Sequence, residues 1–213
     1  MEYGFGRLFV VGITGGIGAG KSTMAQAFRN RGWVTLDTDA MAHGILERPD
    51  AGLKEALESM VGPAVLTSSG AVDRRALGEA VFASPELRRR LEGAMHPAIE
   101  REMLRRMEDL VARGAERVAL EIPLLVEAGW DKKVDFVVAV EAPEEVRAVR
   151  ASQRLGIAVE RVQERMKAQA CDEQRRLVAH LLVTNCGSVA NALAEMEAAV
   201  DQVEESFRIW KAQ

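Results

Sequence analysis

One stretch limits what this chain can fold into more than any other: Gly15-Gly16-Ile17-Gly18-Ala19-Gly20-Lys21-Ser22. The apolar run Leu8-Phe9-Val10-Val11-Gly12-Ile13-Thr14 precedes it, and Thr23-Met24-Ala25-Gln26-Ala27-Phe28 follows. It fits the phosphate-loop pattern G-x-x-x-x-G-K-[ST] in the strand, loop, helix setting that the pattern requires. Glycines let the backbone fold tightly enough for successive N–H groups to point at phosphate oxygens, and the helix adds the positive end of its dipole. Lys21 then reaches the β- and γ-phosphates, and the Ser22 hydroxyl is placed to ligate Mg²⁺. A plain glycine-rich turn would not need four glycines in six residues or the flanking elements seen here. The loop predicts nucleoside triphosphate binding, without separating a kinase from a switch or a motor.

The rest of the chain predicts an α/β fold, a P-loop kinase-type doubly wound parallel sheet of about five strands. A helix from Lys21 to Arg31 buries Met24, Ala25, Ala27 and Phe28 and stops at Gly32; Trp33-Val34-Thr35-Leu36 then reads as a short buried strand. Further strands are expected at 117–122, before Pro123, at 134–140, and at 181–184. A helix from Val189 to Trp210 carries Leu193, Met196, Val200, Val203 and Phe207 as a core stripe. Residues 47–114 show short charged helices and few strand signals, far more chain than a crossover needs, so a helical acceptor-binding insertion is expected there. Within it, Ser84-Pro85 opens a helix and His96-Pro97 is expected to end it, because the residue before proline leaves helical geometry. The nucleotide-binding core is then 1–46, 115–145 and 180–213, with 146–179 as a helical lid.

Asp37 and Asp39 follow the second strand at its carboxyl end, where ligands bind in open α/β sheets. One of them can cap the next helix; capping does not explain both. A carboxylate there can orient an acceptor hydroxyl and take its proton. Glu121, at the end of the third strand, is either a turn carboxylate or a group that helps hold Mg²⁺ through water. His96 at a helix boundary reads first as a cap or hydrogen-bonded packing residue, with ligand contact as the alternative. Arg88-Arg89-Arg90 reads as a solvated face. Arg147, Arg150, Arg154, Arg161, Arg165, Arg175 and Arg176 make the lid dense in cations. Arg150 and Arg154 share a helical face and can converge on one anion, or the run is a solvated helix paired with Glu144, Glu145 and Glu160.

Composition narrows the partners. A net charge of −4 over 213 residues argues against nucleic-acid binding by bulk charge. Cys171 and Cys186 suggest neither a disulfide framework nor a zinc site. No basic segment followed by a long apolar one opens the chain, and no stretch approaches a membrane span, so a cytoplasmic protein with no membrane partner is expected.

Taken together, these landmarks resemble the dephospho-CoA kinase family over nearly the whole chain. Thr14 to Ser22 is similar to the family's T-G-G-I-G-S-G-K-S, and Asp37-Thr38-Asp39 to its D-A-D. Val72-Asp73-Arg74-Arg75-Ala76-Leu77, Val81-Phe82, His96-Pro97-Ala98-Ile99 and Pro123-Leu124-Leu125-Val126-Glu127 follow in order. Arg150 and Arg154, then Arg165 with Gln169, and Asn185-Cys186-Gly187 complete the series. The resemblance implies ATP-dependent phosphorylation of the ribose 3′-hydroxyl of dephospho-CoA, with Mg²⁺ as cofactor, in the last step of coenzyme A synthesis.

By matching position it implies Asp39, Lys21 and Arg150 as catalytic residues. It implies Gly15, Gly16, Ile17, Gly18, Ala19, Gly20, Lys21, Ser22, Thr23, Arg154 and Asn185 around ATP. Thr14, Asp37, Asp39, His96, Pro123 and Leu124 would face the acceptor, and Ser22, Asp39 and Glu121 the metal. A monomer or weak homo-oligomer is expected. The chain departs from the family where Arg147 replaces Gln, where Ala179-His180 replaces A-D, and at Thr184, often Asp. Two other readings compete: a nucleotide monophosphate kinase, which shares loop and lid, and a nucleotide switch. Guanine-specific switches carry N-K-x-D, absent here.

Overall fold

Six consecutive buried residues form the first strand, β1 (Phe9–Thr14). The structure is a computed structural model that describes residues 8–213; residues 1–7, part of the expected core segment and of the stretch read as lacking a leader, lie outside it. After the phosphate loop come α1 (Lys21–Asn30), β2 (Val34–Asp37), α2 (Thr38–Glu47), α3 (Ala51–Val61), α4 (Arg74–Ala83) and α5 (Pro85–Ala112). Then follow β3 (Arg117–Glu121), β4 (Phe136–Glu141), α6 (Glu144–Leu155), α7 (Val159–Met166), α8 (Asp172–Val178), β5 (Leu181–Thr184) and α9 (Val189–Lys211). The five strands form one sheet in the order β2-β3-β1-β4-β5, and every pair is parallel. Parallel neighbours need long crossovers, which is why helices separate the strands.

The chain divides into two compact units: one is the chain up to Asp37 with Leu110–Gln213, the other is Thr38–Asp109. In the first, alternate residues of β1 point to opposite faces. Phe9, Val11 and Ile13 join Met24 and Phe28 of α1 and Met196, Val200, Val203 and Phe207 of α9 in one buried cluster. On the other side Leu125 and Val134 press against Gly12, so the segment after β3 covers that face. At the edge of the cluster, the Trp33 indole N–H donates to Glu204 at 2.7 Å, and Arg117 pairs with the same carboxylate. The second unit has its own core, with Leu53, Leu57, Val65, Val72, Leu77 and Met95 buried together.

Three sequence expectations are corrected. The second strand is not buried: β2 lies at the sheet edge and begins at Val34, itself 37% exposed, whereas Trp33 is the buried residue of that stretch. Leu193 is exposed, because the buried stripe of α9 runs through Ala192, Met196, Ala199, Val200, Val203 and Phe207, leaving Leu193 off the stripe. His96-Pro97 does not end a helix; α5 continues through it for 28 residues with Pro97 inside. Proline there removes one helical hydrogen bond and crowds the carbonyl four residues back, that of Gly93. Leu91, Ala94 and Met95 before it and Ile99 after it pack into the same core, which holds both halves in line. Replacing Pro97 by Ala restores the bond and removes the clash. Pro97→Ala is expected to stabilise the protein by about 2 kcal/mol, the interior proline penalty less its unfolded-state benefit, read as a higher urea midpoint at unchanged slope.

Candidate active site

The loop between β1 and α1 sits at the carboxyl end of the central strand, since β1 pairs with β3 on one side and β4 on the other. Its inside is a cleft of about 270 Å³ lined by Gly18, Gly20, Lys21, Ser22, Thr23, Glu121, Arg150 and Arg154. The loop, the β3 carboxylate and both α6 arginines thus meet in one place. Arg150 and Arg154 stand one helical turn apart and converge on the cleft. Lys21 Nζ donates to the carbonyls of Gly15 at 3.0 Å and Gly16 at 3.3 Å, which lays its charge along the loop.

Ser22 Oγ donates to Glu121 Oε1 at 2.8 Å. Glu121 is buried at the end of β3, in register beside Asp37 at the end of β2. A hydroxyl that gives its proton to a carboxylate keeps its lone pairs for a cation, and two hard oxygen donors suit Mg²⁺. Among the described residues no group of three or more His, Cys, Asp or Glu side chains gathers as a metal cage. Mg²⁺ usually keeps waters and phosphate oxygens and takes only one or two protein ligands.

The outer wall of the loop is as specific as its inside. Asn185, buried after β5, donates from Nδ2 to the Ala19 carbonyl at 2.7 Å, and its own carbonyl accepts from Arg150 Nη1 at 3.2 Å. Its side chain therefore braces the loop. Arg147, one of the seven arginines that the sequence left between two readings, is buried: Nε donates to the Ala142 carbonyl and Nη2 pairs with Asp172 at 3.0 Å. Asp172 also holds Arg175 at 2.7 Å; burial pushes the Arg175 guanidinium below its ordinary pKa, and Asp172 opposes that shift. Arg176 holds Glu141. The partners of these three arginines are thus Asp172 and Glu141, rather than the Glu144, Glu145 and Glu160 offered by their neighbourhood in sequence.

Arg147 also fixes two loop residues. A Cβ on Gly16 would lie 1.8 Å from its Nη1, and one on Gly18 would lie 2.2 Å from its carbonyl oxygen, with Gly18 at φ +77. The other departures from the family pattern lie along β4 and β5. His180 extends the sheet: its N–H donates to the Val137 carbonyl, its Nδ1 accepts from the Val137 N–H, and its ring stacks on Phe136. Thr184 is the β5 residue in register with Glu141.

Not every expected residue belongs to this unit. Thr14, Asp37, Pro123 and Leu124 do, Thr14 being buried as the last residue of β1. Asp39 stands in the first turn of α2 and His96 in the middle of α5, both in the helical unit. Sequence reasoning missed Arg147 and Asp172 as loop supports, and left Gln169, which accepts from the Ile17 N–H at 2.9 Å, without a role. Only the neighbouring motif spacing hinted at them.

A phosphate loop on the central strand of this parallel sheet, facing a carboxylate and two converging arginines, defines a P-loop kinase. A family model described as dephospho-CoA kinase matches residues 9–191. A curated dephospho-CoA kinase of Symbiobacterium thermophilum is 37% identical over 89% of this chain and 79% of its own length, and one of Dechloromonas aromatica is 39% identical over 89% and 90%. A solved dephospho-CoA kinase from Campylobacter jejuni superposes with a TM-score of 0.70 at 26% identity, covering 93% of this chain and 98% of that one. A shikimate kinase from Acinetobacter baumannii shares the fold, with a TM-score of 0.56 at 17% identity over 95% and 96% of the two chains. The chain belongs to the dephospho-CoA kinase family.

Gly18→Ala tests the loop wall. A side chain there meets backbone and adopts a left-handed conformation that costs about 1–2 kcal/mol, or about a tenfold change in an equilibrium. Titration with a fluorescent ATP analogue is expected to show at least about tenfold weaker binding.

Proposed function

We propose that the protein transfers the γ-phosphoryl group of ATP to the ribose 3′-hydroxyl of dephospho-CoA, giving coenzyme A and ADP. Membership of the family over residues 9–191 supports the acceptor, and the cleft joining Gly18, Lys21, Ser22, Glu121, Arg150 and Arg154 supports the donor. The acceptor oxygen bonds to the γ-phosphorus, the bond from that phosphorus to the β,γ-bridging oxygen breaks, and the hydroxyl proton passes to a carboxylate. Asp39 takes that proton. It follows the carboxyl end of β2 by two residues, and parallel strands put that end of β2 on the same side of the sheet as the phosphate loop.

Gly15 to Ser22, with Thr23, surround the phosphates, the loop N–H groups not already bonded within the protein hold them, and Lys21 and Arg150 stabilise charge that moves toward the leaving oxygen. Arg154 assists from the next turn, and Asn185 shapes the base side through its hold on the loop. Ser22 and Glu121, assisted by Asp39, would hold Mg²⁺, which would neutralise phosphate charge when bound. By the family pattern, Thr14, Asp37, His96, Pro123 and Leu124 are assigned to the acceptor. Residues 146–179 act as a lid that excludes water. No helix among the described residues is long and apolar enough to cross a membrane.

Asp39→Asn keeps the shape and removes the base. Expected is unchanged ATP binding with phosphoryl transfer lowered by about 10²-fold or more, the usual scale of acid–base help. Near-normal turnover would take Asp39 out of the mechanism. ADP release measured with dephospho-CoA, nucleoside monophosphates and shikimate in turn tests the acceptor, and activity confined to a nucleoside monophosphate would replace it.

A further inference from the structure

The segment joining α7 to α8 is fastened to the outside of the phosphate loop by side chains that no acceptor or donor role requires. Gln169 Oε1 accepts from the Ile17 N–H at 2.9 Å. The next residue's N–H, that of Ala170, donates to Glu127 Oε1 at 2.6 Å, after β3. Two residues on, Asp172 pairs with Arg147, whose guanidinium fills the space beside Gly16. Within four residues the segment is therefore tied to the loop directly, to the loop through Arg147, and to the chain beyond β3.

Where on the loop the direct bond falls matters. Lys21 Nζ lies against the carbonyls of Gly15 and Gly16, and the lysine of such a loop serves the β- and γ-phosphates. Residues 15–17 are therefore the terminal-phosphate end. A backbone N–H is only a donor, so the Gln169 oxygen must face Ile17, and the bond sets both the direction of that N–H and the curve of the loop around it. Loop amides act as a cradle only if their directions are fixed before phosphate arrives.

We propose that Gln169 is a positioning residue for the donor: its side-chain carbonyl holds Ile17 and thereby the terminal-phosphate end of the loop in its binding shape, with the Glu127 and Asp172 contacts anchoring Gln169 itself. The proposal rests on reading Gly15 to Ser22 as the donor site and is independent of the acceptor.

The test uses the full chain with Gln169→Leu, which removes the acceptor atom at similar volume, and Gln169→Glu, which keeps it. Amide exchange at Ile17 is followed by NMR, and ATP affinity by titration. Gln169→Leu is expected to lose protection at Ile17 and bind ATP about 3- to 10-fold more weakly, the worth of one ordinary hydrogen bond, with the KM for dephospho-CoA unchanged. Gln169→Glu is expected to keep Ile17 protected. Three results would overturn the proposal: unchanged ATP affinity in the Leu variant, weakened affinity with Ile17 still protected, or loss of protection in the Glu variant. If the Leu variant does not fold, Gln169→Met replaces it with the same expectations. ATP titration needs no acceptor, so a failed dephospho-CoA assay leaves this test standing.

Discussion

A loop that aims its N–H groups inward at phosphate must leave its carbonyls facing outward, and buried carbonyls need donors. Much of the larger unit is arranged around that requirement. Asn185 supplies a donor to Ala19, Lys21 supplies donors to Gly15 and Gly16, and the Gly16 carbonyl also closes a turn with the Ala19 N–H. These supports come from β5's end, from α1 and from the loop itself, so the parallel order of the sheet is what brings them to one place. The Ser22 to Glu121 bond joins the same assembly to β3. A phosphate cradle is thus a property of four chain segments, although eight consecutive residues carry its signature.

That division explains what sequence could reveal. Strand and helix identity followed from apolar periodicity, and the loop from its motif, because both are local patterns. The β4 run and the Ser84 helix start were legible for the same reason: Leu87 donates its N–H to the Ser84 hydroxyl. Failures came where tertiary packing overrides local preference. Pro97 reads as a helix end until Leu91, Met95 and Ile99 are seen sharing one core. Trp33 to Leu36 reads as buried because three of its four residues are apolar, yet strand order alone makes β2 an edge.

The arginines show the same limit from the side of charge. Arg150 and Arg147 are one turn apart in a segment of uniform character, yet one lines the cleft and the other is sealed behind the loop with Asp172. Sequence offered nearer carboxylates, but a buried cation needs a partner it can reach without solvent, and distance in space selects Asp172. Glu121 was legible as a candidate from its place at a strand end; its bond to Ser22 required the sheet register.

The Arg147 wall also changes how freely the phosphate motif can vary in this chain. In the general pattern the four residues between the first glycine and Gly20 are unspecified. Here the first of them, Gly16, lies under a paired guanidinium, and the third, Gly18, lies against the backbone of α6 in a left-handed turn. The fourth, Ala19, is fully buried. Three of the four open positions are therefore closed by neighbours outside the motif. Tolerance to substitution at Gly16 and Gly18 is set by a helix some 130 residues away, and a change of the Arg147 side chain would alter what position 16 can hold before it altered any contact with nucleotide.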